Sequence, residues 1–98
     1  RIIETSNSNI FFVMNHKIIT PPIKDGCIDG TMRRLLMSLF DIEERSISLN
    51  ILSKVDEVFV SNSISGVIPI KKIDYIEYHN FSYCNIIQKK IISLSLDL

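Results

Sequence analysis

Residues 9–40, NIFFVMNHKIITPPIKDGCIDGTMRRLLMSLF, decide how this chain folds. Asn9 to Met14 and Lys17 to Thr20 are mostly apolar and β-branched, the composition of strands packed against a core. Only Asn15 and His16 stand between them, and a two-residue connection headed by Asn predicts a tight hairpin. Pro21-Pro22 ends the second strand, because neither residue donates to a ladder. Residues 23–30 hold two glycines and two aspartates and are expected to form a loop. From Thr31 the period changes. Met32, Leu35, Leu36, Leu39 and Phe40 fall on one stripe at helical spacing, Arg33, Arg34 and Ser38 are assigned to the other face, and Gly30 or Asp29 is placed to cap the start.

The rest of the chain extends this reading. Glu44 to Ser48 reads as a short strand, and Ser48 as the cap of a short helix reaching Val55. Glu57–Ser61 and Gly66–Ile70 read as strands on either side of the small polar run Asn62-Ser63-Ile64-Ser65. Phe81 to Leu94 carries Tyr83, Ile86, Ile87, Ile91 and Ile92 at helical spacing, a second amphipathic helix. The pattern is therefore α/β in the α+β sense, with two main helices and no repeats or linkers.

Size and charge narrow the possibilities. Ninety-eight residues make one small domain, and 46% hydrophobic content is that of a globular chain. Eleven basic and eleven acidic side chains cancel, so no basic face invites nucleic acid. The apolar runs are far too short to span a membrane, and the start RIIETSNSN has no signal-peptide pattern. Cys27 and Cys84 sit in no metal-ligand spacing and read as reduced cytosolic thiols, which gives a cytoplasmic expectation. Arg1 leads straight into Ile2-Ile3, which reads as the middle of a strand, so the sequence is expected to continue upstream. An incomplete domain is expected to self-associate through apolar surface around Ile2, Ile3 and the hairpin.

Three segments invite chemistry. Glu4-Thr5-Ser6-Asn7-Ser8-Asn9 sets an acid among hydroxyls and amides before a strand, where it either faces a pocket or forms a polar turn. Gly30-Thr31-Met32-Arg33 opens a helix, where free N–H groups and the helix dipole suit a phosphate, although most helix starts bind nothing. Asn62-Ser63-Ile64-Ser65-Gly66 offers hydroxyls and amide N–H groups to an anion, or is merely a loop. His16 and His79 have no partners at ligand spacing and read as solvated. No metal site is expected.

In order and together these segments resemble the class IV aminotransferase family. Glu4 through Val13 is similar to its E-x-x-x-x-N-[LIV]-F, and Thr20-Pro21-Pro22 to its T-P-P. Gly26 through Arg33 is similar to its G-x-x-x-G-[IT]-x-R, Asp56-Glu57-Val58-Phe59 to its A-D-E-V-F, and Asn62 through Ile70 to its [NS]-[ST]-x-x-x-[IV]-x-P-[IV]. The resemblance covers roughly residues 3–75 and implies the C-terminal domain of the fold type IV pyridoxal-phosphate enzymes, a mixed sheet or pseudo-barrel. Residues 1–98 would then be a single partial domain.

The resemblance also implies roles. Glu4 matches the acid that pairs with the pyridine nitrogen of pyridoxal 5'-phosphate and keeps the ring an electron sink. Gly30, Thr31 and Met32 match the helix start that binds the cofactor phosphate, Ser63 matches a hydroxyl completing that cup, and Asn9 shapes the strand beside the ring. Ile64 and Ser65 match residues near the substrate carboxylate. Met32 departs from the threonine of many aminotransferases, and together with Asn62-Ser63 and Gly66 is similar to the aminodeoxychorismate lyase branch. The Thr-Ala-Ala run of branched-chain aminotransferases is absent.

No lysine here, whether Lys17, Lys24, Lys54, Lys71 or Lys72, matches the Schiff-base lysine, which the family places upstream of Glu4. No catalytic residue is therefore expected on this chain, and alone it should be inactive. The partners implied are an amino acid or aminodeoxychorismate, the N-terminal part of the same enzyme, and a second copy in a homodimer. The alternatives are a branched-chain or D-amino-acid aminotransferase, and a non-catalytic interaction module sharing the scaffold.

Overall fold

Phe11 and Phe12 are adjacent in sequence and both fully buried, which requires a strand covered on its two faces. That strand is β1 (Asn9–Met14), at the centre of a five-stranded sheet. The structure, a computed structural model, describes residues 8–25 and 30–96. In chain order the further elements are β2 (Lys17–Thr20), α1 (Thr31–Leu39), β3 (Ile42–Glu44), β4 (Glu57–Asn62), β5 (Gly66–Pro69), β6 (Lys72–Ile73), β7 (Ile76–Glu77) and α2 (Ser82–Leu96).

The sheet order is β3-β2-β1-β4-β5, with β2 and β3 parallel and the other neighbours antiparallel. The hairpin between β1 and β2 turns through Asn15 and His16 at φ 53° and 63°. Positive φ at both residues is the turn whose twist matches that of paired strands.

The sheet is the middle of three layers. On one face Phe11, Val13, Ile18, Phe59 and Val67 meet Leu36 of α1 and Cys84 and Ile87 of α2. On the other, Ile10, Phe12, Ile19 and Val58 meet Ile47, Leu52, Val55 and Tyr78. Tyr78 closes that side by donating its hydroxyl to the Leu52 carbonyl at 2.7 Å.

The helix layer is tied down by charge. Arg33 of α1 is 3% exposed, and its Nη2 donates to Glu44 Oε2 at 2.7 Å and to the Pro21 carbonyl at 3.2 Å. This corrects its assignment to the solvent face: Arg33 lies three residues before buried Leu36, on the same side of the helix. Glu57, fully buried at the start of β4, accepts the first N–H groups of α2, from Tyr83 at 3.0 Å and from Cys84 at 2.7 Å.

Several boundaries also move. The short strand is Ile42–Glu44 and not Glu44–Ser48, and the turn after Ser48 is a 3-10 turn, Leu49–Ile51, and not a helix to Val55. Ser48 makes no capping bond; its hydroxyl meets the Asn50 side chain instead. The loop after Pro22 begins with a 3-10 turn, Ile23–Asp25. Ile86 and Ile92 are 58% and 59% exposed, and the buried stripe of α2 runs instead through Cys84 and Ile87. At the hairpin, Asn15, His16 and Lys17 are exposed while Val13 and Ile18 are buried, so that turn offers no apolar face; Ile2 and Ile3 lie outside the described residues. No helix among the described residues is long and apolar enough to cross a membrane.

Cys84 reports on this packing. Burial first, and then the nearby charge of Glu57, push its thiol from the ordinary 9.0 up to about 11. A thiol whose folded pKa is raised favours folding fully below the unfolded value and loses that contribution as pH rises through the folded one. We expect stability to fall between pH 9 and about 11, and Cys84 to resist thiol reagents at pH 8 until the chain is unfolded. Labelling with and without denaturant checks this; rapid reaction of Cys84 in the native protein would contradict it.

Candidate functional site

Asn9, Ser61 and Gly30 meet at one end of the sheet. Asn9 lies two residues before Phe11 and Ser61 two after Phe59, so both side chains point to the helix face, directly opposite one another in the β1–β4 register. Asn9 is 4% exposed and Ser61 is fully buried. The Ser61 hydroxyl has no hydrogen-bond partner among the described residues, an uncommon state for a buried group.

The N-terminus of α1 comes down beside Asn9. A Cβ on Gly30 would lie 2.7 Å from Asn9 Oδ1, so only glycine allows this approach without a shift. Gly30 is the N-cap and supplies no side-chain capping bond, and the first turn of α1 holds no acidic residue. The helical ladder starts with Arg34 N–H donating to the Gly30 carbonyl at 3.1 Å. The N–H groups of Thr31, Met32 and Arg33 therefore stand outside the ladder, where the positive end of the helix dipole favours an anion.

The turn joining β4 to β5 stands at this same end, with Asn62 paired to Gly66. Ser63, Ile64 and Ser65 are exposed on it, Ile64 at 95%. The Asn62 side chain organises the turn: its Oδ1 accepts from Ile64 N–H at 3.0 Å and Ser65 N–H at 2.6 Å. Its Nδ2 donates to Ser8 Oγ at 3.4 Å, across to the lead-in of β1. The two amides that the sequence offered to an anion are thus taken internally, because Asn accepts readily from N–H groups two and three residues on.

Of the expected site residues, Gly30, Thr31 and Met32 share one sheet end with Ser63, Ile64 and Ser65. Glu4 and Asp29 lie outside the described residues. Sequence reading missed Ser61 and the turn-holding role of Asn62. The alternation Glu57, Phe59, Ser61 along β4 was the available signal for the first.

Two clefts are present, one of them opening at this turn. One, of about 250 Å³, runs from Ser65 and Gly66 along Val67 to Gln88, Ile91 and Ile92 of α2. The other, of about 270 Å³, is at the opposite end of the sheet, among His16, Lys17, Asp41 and Tyr83. Neither is lined by Gly30, Thr31, Met32 or Ser63. His79 is exposed, and no group of three or more His, Cys, Asp or Glu among the described residues is placed to hold a metal ion.

The family model for amino-transferase class IV matches residues 1–73. A Thermotoga maritima protein named "Probable branched-chain-amino-acid aminotransferase" is 32% identical over 79 residues, covering 76% of this chain and 29% of that protein. The aminodeoxychorismate lyase of Vibrio harveyi is 34% identical over 77 residues, 74% of this chain and 28% of its own length. Among solved structures, a branched-chain aminotransferase from Thermoproteus uzoniensis with norvaline superimposes with a TM-score of 0.84 at 28% identity, covering 90% of this chain and 31% of that one. The chain thus spans less than a third of these three proteins.

Proposed function

Because this chain belongs to the amino-transferase class IV family, we propose that it forms the phosphate-binding part of a pyridoxal-phosphate enzyme. In this reading the backbone N–H groups of Thr31 and Met32 and the hydroxyl of Ser63 hold the cofactor phosphate, with Gly30 giving close approach. Glu4 would pair with the pyridine nitrogen, and Asn9 would shape the strand beside the ring. Ile64 and Ser65 lie toward the substrate carboxylate. The imine-forming lysine comes from outside these residues, and a homodimer is the assembly.

The observation that carries the proposal is the α1 N-terminus: its N-cap is a glycine, its first turn holds no acidic residue, and it is set on Asn9 through a position that a Cβ would block. The donor set fits a phosphate, namely backbone N–H groups at a helix start and a serine hydroxyl on the neighbouring turn. The buried hydroxyl of Ser61, without a partner among the described residues, adds a further donor at this end.

Bound there, pyridoxal phosphate supplies an electron sink for a carbanion at the substrate α-carbon. The chain's own part is to fix the phosphate and, through the Glu4 carboxylate, to hold a proton on the ring nitrogen. The likeness of Met32, Asn62-Ser63 and Gly66 to the lyase branch supports a reading as aminodeoxychorismate lyase, which releases pyruvate. The second reading, amino-group transfer between an amino acid and a keto acid, is favoured by the 32% identity to the Thermotoga protein.

The test uses the full polypeptide that carries this chain. Pyridoxal phosphate should bind it, and Ser63→Ala should weaken binding about tenfold, the loss of one hydrogen bond to a charged group. Pyruvate formed from aminodeoxychorismate without a keto-acid acceptor selects the lyase; turnover only with an acceptor selects the aminotransferase. No binding of the cofactor would overturn both.

A further inference from the structure

The cleft at the hairpin end of the sheet has no part in the cofactor reading, and its charge is one-sided. It lies where α1 stops. The helix ends at Leu39, its C-cap Phe40 bonds back to the Leu36 carbonyl, and its last turn holds no basic residue. The carbonyls of Met37, Ser38 and Leu39 therefore stand beyond the ladder, at the negative end of the helix dipole. Asp41 follows directly, an exposed acid at a place that favours a cation. It makes no hydrogen bond or ion pair among the described residues. A local rule broken without structural gain is expected where a position serves a ligand.

The remaining wall is mostly apolar. Phe40 and Tyr83 are half-buried and packed against the core, Ile18 is buried, and Ile86 is 58% exposed. Aromatic rings beside a carboxylate suit an organic cation, because ring faces carry negative charge. The buried Glu57 carboxylate, which accepts from Tyr83 N–H, adds to the same sign. Two basic residues also border the cleft. Lys17 precedes Ile18, whose side chain is on the helix face, so by alternation its own leaves on the other. Its charge acts on Glu43, whose carboxyl is held below the ordinary range first by the hydrogen bond from Arg45 and more weakly by Lys17. His16 stands exposed on the hairpin turn.

We infer that this cleft is a binding site for a small organic ammonium ion, its charge beside Asp41 and the carbonyl end of α1 and its apolar body over Phe40, Tyr83 and Ile86. At about 270 Å³ the space is below the range of about 300–1,000 Å³ that takes drug-sized ligands. The site stands apart from Gly30, Thr31 and Ser63 and does not rest on the cofactor reading.

The test titrates the full polypeptide calorimetrically with benzyltrimethylammonium, a quaternary ion that cannot form an imine. Benzyl alcohol and benzoate serve as its neutral and anionic counterparts. The ammonium ion is expected to bind about tenfold more tightly than either, with or without saturating pyridoxal phosphate. Asp41→Asn should weaken it about tenfold, yet leave the melting temperature of the free protein unchanged or higher, since a like charge departs from the negative helix end. A purely structural Asp41 would instead lower the melting temperature when replaced. Phe40→Leu should weaken the ion about threefold or more while removing no charge. Binding no tighter than that of benzyl alcohol, a preference for benzoate, or an affinity unmoved by both substitutions would overturn the inference. Displacement of the ion by pyridoxal phosphate would overturn it too, by putting the ion in the cofactor site. If the cofactor itself fails to bind, the cofactor reading falls and this site stands.

Discussion

Replacing Glu57 by alanine is expected to cost about 3 kcal/mol of stability and to release α2 from the sheet. Its two carboxylate oxygens accept from Tyr83 N–H and Cys84 N–H, at the positive end of that helix. Both the loss of charged hydrogen bonds and the stranding of the N–H groups act in the same direction. The carboxylate is itself fully buried, so the native protein already bears its desolvation; alanine recovers part of that. Glutamine keeps one acceptor and should cost less than alanine. Urea unfolding measures the difference, and Cys84 reports it locally: in Glu57→Ala the thiol should become reactive under native conditions, since α2 no longer covers it. A variant as stable as wild type, with Cys84 still protected, would show that the helix is held by packing alone.

Phe59→Ala is expected to cost about 3–5 kcal/mol, the range for emptying a buried aromatic site. Phe59 is fully buried and stacks on Phe11 with ring centroids 5.0 Å apart and planes 10° from parallel. The pair sits midway along β1 and β4 in direct register, under both helices. Close-packed strands on either side limit how far the cavity collapses. Denaturant midpoints give the value, and a loss below about 1 kcal/mol would mean that the core refills, contrary to a tightly packed interior. Glu57 and Phe59 both hold α2 from the same strand face, so the double variant should lose less than the sum of the two.

The parts of the fold legible in the sequence were those set by neighbours. The hairpin followed from Asn15 and His16 between two apolar runs, and α1 from an apolar stripe recurring at helical spacing. The buried charges were not legible, because their partners are remote. Arg33 is paired with Glu44, 11 residues away in another element, and Glu57 is hydrogen-bonded by N–H groups 26 and 27 residues away. A rule that sends charges to solvent fails at such places unless the partner is known. β6 and β7 have two residues each, too few to carry a period, and their turn rests on Asp74 at φ 52°. At the candidate site, the glycine and the hydroxyls were proposed from motif order, and the structure sets them at one end of the sheet. The orphaned Ser61 hydroxyl and the occupied Ile64 and Ser65 amides needed coordinates, since both depend on where side chains end.

The way α2 is anchored also dictates an order of events at synthesis. Its acceptor belongs to β4, which leaves the ribosome well before the helix and pairs with strands made earlier still. Until that pairing is done, the Glu57 carboxylate stays hydrated and the helix has no berth. The helix is thus translated after the sheet it docks on and settles after it, and interactions formed that late govern how fast this fold comes apart more than how fast it assembles.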